Sequence, residues 1–209
     1  MPQPPFLNIV EIFPSIQGEG LRQGEPTIFI RFSGCKLRCT FCDTKYAWKA
    51  GKELSANEIL VKVLKLREQF QADWVCLTGG EPLLQNIDSL TKILRKGSFK
   101  IQVETNATIY LPIPVDWYTV SPKPEKYFFQ PEYEKKAREV KLVITKELDF
   151  EVVQKLRAKF PSKTPLLLQP QSNRKWSMNK GIKILKKTLI AGLKNIRLSI
   201  QVHKIFEIR

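Results

Sequence analysis

The sequence predicts an α/β protein with an incomplete (open) TIM-like barrel, built on a mainly parallel sheet with few helices. Short apolar segments alternate with segments of helical periodicity, which is the pattern of parallel strands joined by crossover helices. The chain has 209 residues, fewer than the roughly 250 that a complete eight-unit barrel needs. Polar motifs follow several predicted strands, at the sheet edge where such folds carry their chemistry.

The predicted strands are short runs rich in β-branched and aromatic residues. They are Leu7–Phe13, Thr27–Phe32, Trp74–Leu77, Lys100–Glu104, Trp117–Val120, Val140–Ile144, Leu166–Gln169 and Ile196–Ile200. The predicted helices repeat apolar residues at intervals of three and four: Ser55–Phe70, Ile87–Leu94, Phe150–Phe160 and Lys180–Ala191. Ser55 followed by Glu58 is a capping box that marks the start of the first helix. Without repeats or linkers, residues 1–209 are predicted to form a single domain.

The chain is strongly basic, with a formal net charge of +15. Such an excess is typical of some nucleic-acid binders, but the basic residues are spread through the chain and favour a solvated surface. A third interpretation is a docking face for an acidic redox protein, with Lys36 and Arg38 as candidates. No apolar stretch is long enough to span a membrane. Residues Met1–Pro5 lack the features of a signal peptide, so a cytoplasmic location is expected.

Three of the four cysteines, Cys35, Cys39 and Cys42, lie within eight residues after a predicted strand. Clustered cysteines outside secreted proteins more often bind metal than form disulfides. Iron–sulfur clusters normally use one thiolate per iron, so three thiolates on a 4Fe–4S cluster leave one iron open. The alternative is a zinc site, which needs a fourth ligand from Cys76 or His203. Cys76 lies in an apolar run where a buried hydrophobic role is expected.

The spacing Cys-x3-Cys-x2-Cys, followed by Gly79-Gly80-Glu81-Pro82, resembles the radical S-adenosylmethionine (SAM) superfamily. The resemblance implies that SAM binds the open iron and is cleaved to a 5′-deoxyadenosyl radical, which abstracts hydrogen from a substrate. A glycyl-radical activating enzyme, which acts on a protein partner, shares both motifs. A basic nucleic-acid-binding module with a structural metal is a second rival.

Further segments, in order along the chain, resemble the 7-carboxy-7-deazaguanine synthase family. They are Glu11–Gly20, Arg31, Cys42-Asp43-Thr44, Glu104-Thr105-Asn106, Ser121-Pro122-Lys123 and Gln201-Val202-His203-Lys204. The family converts 6-carboxy-5,6,7,8-tetrahydropterin to 7-carboxy-7-deazaguanine with loss of ammonia, on the route to queuosine. Its members regenerate SAM, use Mg²⁺ and form homodimers. The resemblance therefore implies one 4Fe–4S cluster per subunit, SAM and Mg²⁺. Because the cluster must be reduced, an acidic electron donor of the flavodoxin or ferredoxin type is also expected, and no direct nucleic-acid or membrane partner is expected.

The resemblance also implies roles for individual residues. Substrate contacts fall on Ile16, Gln17, Gly18, Arg31, Thr78 and the terminal Arg209. SAM contacts fall on Phe41, Cys42, Asp43, Gly80, Ser121, Pro122, Lys123, Gln169, Pro170, Gln171 and Ser172. Cys35, Cys39 and Cys42 match the cluster ligands, and Thr44 matches a Mg²⁺ ligand.

Some polar residues near these motifs have two interpretations. Glu104 and Asn106, at a strand end, are either site residues or turn formers. His203 is either a substrate contact or a structural histidine. The family often has Gly where this chain has Ala107, so the local backbone at this position departs from the family pattern.

Overall fold

The computed structural model describes residues 6–124 and 126–208, which form strands and helices in the predicted alternation. The strands are β1 (Leu7–Ile16), β2 (Pro26–Phe32), β3 (Lys52–Leu54), β4 (Trp74–Gly79), β5 (Lys100–Thr105), β6 (Trp117–Val120), β7 (Ala137–Ile144), β8 (Leu166–Pro170) and β9 (Ile196–Leu198). The helices are α1 (Ala56–Phe70), α2 (Asp88–Lys96), α3 (Tyr133–Lys136), α4 (Phe150–Lys159), α5 (Lys175–Ile190) and α6 (Val202–Ile205). β3, α3 and α6 were not expected, because segments of three or four residues are too short to display a period.

Spatial contacts divide the chain into two compact units. The first unit holds residues 6–16, 24–105 and 111–118, and the second holds residues 17–23, 106–110 and 119–208. The chain passes between them several times, for example directly after β1 and within β6. The single domain over residues 1–209 stays a prediction.

In the first unit the strand order is β3-β1-β2-β4-β5. β1 pairs antiparallel with β2 and β3, whereas β2, β4 and β5 run parallel to one another. The buried core includes Ile28, Ile30, Val75 and Leu77. Because β2, β4 and β5 are parallel, the loops that follow them leave the sheet at the same edge, which brings together the motifs that follow these strands.

β1 extends three residues beyond its predicted end at Phe13, through Pro14. Proline cannot donate a ladder hydrogen bond and is therefore confined to edges of sheets. β3 pairs with Leu7–Ile9, so in the described part of the chain the segment around Pro14 pairs with β2 alone. The second half of β1 is thus an edge strand, where proline is tolerated and where the chain can leave the sheet into the next loop.

The predicted capping box of α1 is present. The Ser55 hydroxyl accepts a hydrogen bond from the Glu58 amide, and the Glu58 carboxylate accepts one from the Ser55 amide at 2.7 Å. The Ser55 amide and, second, the Ser55 hydroxyl, which also donates to this carboxylate at 2.7 Å, lower the pKa of the Glu58 carboxyl. α1 buries Ile59 and Val63 on one face, as its periodicity predicted.

In the second unit β7, β8 and β9 run parallel, again with their carboxyl ends at one edge. α5 begins five residues before its predicted start at Lys180. The cause is a buried contact, since the Ser177 hydroxyl donates to the Ile144 carbonyl at 2.8 Å and accepts from the Gln171 amide. Across the described residues, every helix is too short or too polar to cross a membrane.

Candidate active site

The cysteine loop lies between β2 and a short 3-10 helix, Lys45–Trp48, in the first unit. Cys35, Cys39 and Cys42 are free thiols of intermediate exposure, so metal can reach them. The Cys42 amide donates to the Cys39 carbonyl at 3.1 Å, and the Cys42 sulfur accepts the Thr44 amide at 3.4 Å.

The three thiols share one loop without converging. In the described part of the chain, no group of three or more His, Cys, Asp and Glu side chains is placed to hold a metal ion. The donor set nevertheless fits an iron–sulfur cluster, because three accessible thiols with no disulfide lie on one loop. Cys76 is fully buried on β4, beside Phe13 and Phe29, which confirms its expected hydrophobic role.

The Gly79–Gly80 turn is bonded to the start of the cysteine loop. The Gly80 amide donates to the Phe32 carbonyl at 2.9 Å, and the Glu81 amide donates to the Gly34 carbonyl at 2.7 Å. A Cβ on Gly80 would overlap the Gly34 carbonyl, with the carbonyl carbon only 2.5 Å away. Gly79 has φ +128° and also lies against the Phe32 backbone. The two glycines are therefore required for backbone-to-backbone approach between the two motifs.

Glu81 is a buried carboxylate with a structural role that its motif did not reveal. It is 1% exposed, and its Oε1 accepts hydrogen bonds from the Thr105 hydroxyl at 2.7 Å and the Leu83 amide at 3.2 Å. These contacts join the end of β4 to the end of β5. Thr105 lies in a predicted polar motif, but nothing in the local sequence identifies Glu81 as its partner.

Arg31 lies on β2 opposite Glu11 of β1, and beside Thr78 of β4 in the parallel register. Its Nε donates to Glu11 Oε1 at 2.6 Å, and the Tyr46 hydroxyl donates to the same oxygen at 2.9 Å. The guanidinium carbon lies 5.6 Å and 5.7 Å from the ring centres of Phe13 and Tyr46. The arginine is thus held by its Nε, and its Nη groups are the donors that suit a carboxylate.

Thr44 lies between the cysteine loop and the 3-10 helix. Its hydroxyl donates to Asp43 Oδ1 at 3.0 Å. The side chain makes no capping hydrogen bond to the helix that it precedes, as judged over the described residues of this segment. The turn-capping role that would explain a threonine here is therefore not observed. Asp43 and Thr44 form an oxygen pair beside the cysteines.

The second unit holds a further set of predicted site residues, Gln17, Gly18, Ser121–Lys123 and Gln169–Ser172, whereas Ile16 and Phe41 lie in the first unit. Gln17 and Gly18 are buried, and the Gly18 carbonyl accepts the Val202 amide at 2.9 Å. A Cβ on Gly18 would lie 2.8 Å from His203 Cγ, so the imidazole packs directly on this glycine. His203 therefore has a packing contact with the predicted substrate loop.

Ser121, Lys123 and the Gln169–Ser172 segment are held by hydrogen bonds within the second unit. Lys123 Nζ donates to Ser121 Oγ at 2.6 Å, and Lys204 Nζ donates to Ser172 Oγ at 3.0 Å. Ser172 has a left-handed backbone with φ +48°. Pro122, Pro170 and Gln171 accompany these residues in the same loops, and Arg209 lies outside the described residues.

The two ambiguous strand-end residues differ in their contacts. Asn106 Oδ1 accepts hydrogen bonds from the Thr108 amide at 2.9 Å and the Thr108 hydroxyl at 2.7 Å, which is a turn-forming role. Glu104 Oε1 accepts the Cys76 thiol at 3.8 Å. Ala107 has φ +65°, a left-handed conformation that favours glycine.

Comparison with known proteins defines the class. Residues 29–120 match the radical SAM superfamily model, and the crystal structure of QueE from Escherichia coli superposes with a TM-score of 0.77 at 28% identity, over 95% of each chain. The chain is therefore a radical SAM protein, and the predicted open TIM-like barrel with mainly parallel strands is confirmed. This class implies a 4Fe–4S cluster and SAM.

The relatives identify the family. The chain is 35% identical to the 7-carboxy-7-deazaguanine synthase of Buchnera aphidicola over 98% of its own length and 100% of that protein. It is 33% identical to the Escherichia coli K12 enzyme of the same name, over 96% and 98% of the two chains. The chain belongs to the 7-carboxy-7-deazaguanine synthase family.

Proposed function

We propose that this chain converts 6-carboxy-5,6,7,8-tetrahydropterin to 7-carboxy-7-deazaguanine with loss of ammonia, as a step towards queuosine and related 7-deazapurines. One observation carries the proposal: a three-cysteine loop is bonded to a Gly79–Gly80 turn, in a chain similar to named synthases over nearly its whole length. The alternative, activation of a glycyl-radical enzyme, has no support among these relatives. A cytoplasmic location stays a prediction.

Cys35, Cys39 and Cys42 would hold the cluster, and the backbone hydrogen bonds of the Gly79–Gly80 turn fix the start of their loop. When bound, the cluster and SAM supply the radical that abstracts hydrogen from the pterin. The proposed SAM contacts are Phe41, Cys42, Asp43, Gly80, Ser121, Pro122, Lys123, Gln169, Pro170, Gln171 and Ser172.

The proposed substrate contacts combine charged side chains with polar and backbone groups. Arg31, fixed by Glu11 and two aromatic rings, would bind the pterin carboxylate. Gln17 and Gly18 would contact the pterin ring, whose amide and ring nitrogens require donors and acceptors in a buried loop. Ile16, Thr78 and the terminal Arg209 complete the proposed set.

The deciding experiment is anaerobic reconstitution followed by incubation with SAM, a reductant and 6-carboxytetrahydropterin. We expect 7-carboxy-7-deazaguanine and ammonia to appear without any protein partner. A reconstituted chain that cleaves SAM but leaves the pterin unchanged would contradict the proposed substrate. A brown, cluster-containing protein that acts only when a partner protein is present would favour the activating-enzyme alternative.

We further propose that Thr44 is a Mg²⁺ ligand that orients the substrate carboxylate. Mg²⁺ takes oxygen ligands and keeps several waters, so one hydroxyl with substrate oxygens and waters is a suitable set. Stimulation of the parent by Mg²⁺ is expected, and Thr44→Ala should lose most of it while retaining its cluster and SAM binding. Thr44→Ser keeps the hydroxyl and should respond like the parent. Equal Mg²⁺ stimulation of parent and Thr44→Ala would contradict the role.

An acidic electron donor of the flavodoxin or ferredoxin type is proposed to dock near the cysteine loop, where Lys36 and Arg38 are exposed. Complementary charge raises the association rate, and salt screens it over a Debye length of about 8 Å at physiological ionic strength. Stopped-flow reduction by flavodoxin should slow with added salt, and Lys36→Glu/Arg38→Glu should weaken this dependence. The matched control, Lys62→Glu/Lys65→Glu on the exposed face of α1, should leave it unchanged. A rate independent of salt in the parent would contradict the proposal.

A homodimer is also proposed. The second unit exposes large apolar side chains on α5, on α6 and beside β9; those at least half exposed are Leu189, Ile190, Ile205 and Phe206. Such groups are typical of protein interfaces. Sedimentation should give twice the 24.2 kDa of one chain, and Ile190→Lys/Phe206→Lys should shift it towards monomer. Val61→Lys, at a position 66% exposed on α1, is the control. A monomeric parent would refute this proposal.

A further inference from the structure

β7 carries two buried charged side chains, Glu139 and Lys141, on one face of the strand. They are 0% and 6% exposed. Residues two apart on a strand share a face. Ionised side chains are seldom buried unless they are paired, because removal from water is costly. Neither residue belongs to a motif that the sequence identified, so their partners are informative.

Glu139 binds the backbone of the loop that follows β1. Its Oε2 accepts the Leu21 amide at 2.7 Å, and its Oε1 accepts the Thr119 hydroxyl at 2.7 Å. Gly20 has φ +74°, and a Cβ there would lie 2.8 Å from the Glu139 carboxyl carbon. The glycine therefore lets the carboxylate approach the loop closely.

Lys141 binds the same loop through a side chain. Its Nζ forms an ion pair with Glu19, whose other oxygen accepts Gln201 Nε2 at 2.6 Å. The Glu19 amide in turn donates to Gln17 Oε1 at 3.2 Å. Gln17 is thus linked to β7 through Glu19.

Lys141 also contacts the proposed SAM-binding segment. Its carbonyl accepts the Ser121 hydroxyl at 2.8 Å, and Ser121 Oγ accepts Lys123 Nζ at 2.6 Å. One strand therefore supports both the loop that bears Gln17 and the loop that bears Ser121. All of these residues lie in the second unit.

We propose that Glu139 and Lys141 are positioning residues that fix the Gln17–Arg22 segment for binding the substrate. The inference rests on the proposed function, since it assigns that segment to the pterin. Replacing a buried ion pair by apolar residues often leaves stability unchanged, so a stability role alone does not explain the pair. Placement of Gln17 and Gly18 within a fraction of an ångström is the kind of task that such supporting contacts perform.

The first test is steady-state kinetics of the reconstituted holoenzyme with 6-carboxytetrahydropterin. Lys141→Met and Glu19→Gln should each raise KM about ten-fold, because each change removes the ion pair that joins β7 to the Gln17–Arg22 segment. SAM affinity and the cluster spectrum should stay at parental values. The double variant Lys141→Met/Glu19→Gln should have a KM no higher than that of the more affected single variant, since both changes remove the same interaction. Arg138→Met, an exposed neighbour on β7, is the control.

The second test does not depend on turnover. Hydrogen exchange of the peptide covering residues 17–23 in the substrate-free holoenzyme should accelerate about ten-fold in Glu139→Gln and in Lys141→Met. Glu139→Gln keeps the shape of the side chain, so it tests the loop even where Lys141→Met does not fold. Variants with parental KM and parental exchange overturn the inference. If the parent leaves the pterin unchanged, the proposed function is refuted. In that case the positioning role is still decided by whether residues 17–23 exchange faster in the variants than in the parent.

Discussion

Replacement of Cys35, Cys39 or Cys42 by alanine is expected to abolish both the brown absorbance of the reconstituted protein and its activity. With one thiolate per iron, three thiolates leave one iron of a 4Fe–4S cluster open, so loss of any one of them removes a required ligand. The thiols lie on one loop and are accessible, whereas Cys76 is buried on β4. Cys76→Ala, which removes a thiol of the same chemistry, should keep its cluster.

The measurement is the iron and sulfide content per chain after anaerobic reconstitution, together with the visible spectrum. Circular dichroism of each variant should match the parent, since the loop is not part of the core. A cluster that survives in Cys35→Ala but is lost in Cys76→Ala would show that the ligands are assigned wrongly.

Gly80→Ala should lower the free energy of unfolding by about 3 kcal/mol and weaken SAM binding. The added Cβ would overlap the Gly34 carbonyl, which already accepts the Glu81 amide. Neither group is a flexible side-chain end, so the backbone must shift, and forced overpacking of this kind costs about 1–3 kcal/mol or more. The shift displaces the start of the cysteine loop as well as the turn.

The matched control is Gly24→Ala. Gly24 has φ +92°, but a Cβ there meets no atom within 4 Å. This variant should therefore lose only about 1 kcal/mol, from the strained backbone. Urea unfolding of the two variants and the parent separates overlap from backbone strain. If both variants lost the same free energy of unfolding, the close approach of Gly80 to Gly34 would not be the reason for a glycine at position 80.

The sequence predicted those features whose residues lie close together along the chain. The capping box at Ser55 and Glu58 places the start of α1 because both partners lie within one turn. The cysteine loop and the Gly79–Gly80 turn are likewise local motifs. The end of β1 was missed because a proline, here Pro14, usually ends a strand. Proline is tolerated at this position because, among the described residues, β3 does not pair with this part of β1.

The features that the sequence did not predict join residues far apart along the chain. Glu139 was missed as a ligand of the Leu21 amide because the two are 118 residues apart. Charged residues inside the apolar run of β7 were a usable signal of buried pairing. That signal could not identify Glu19 or Gln201 as partners, because their proximity depends on the strand order.

The long separations within the second unit have a consequence for biosynthesis of the protein. Gln201 is translated 182 residues after Glu19, to which it donates. The segment around Glu19 therefore leaves the ribosome long before its partners on β7 and at residue 201 exist. Closing such long loops is entropically unfavourable and slows folding. We therefore expect the Gln17–Arg22 segment to become ordered late, so that chaperones which bind nascent chains would encounter it exposed.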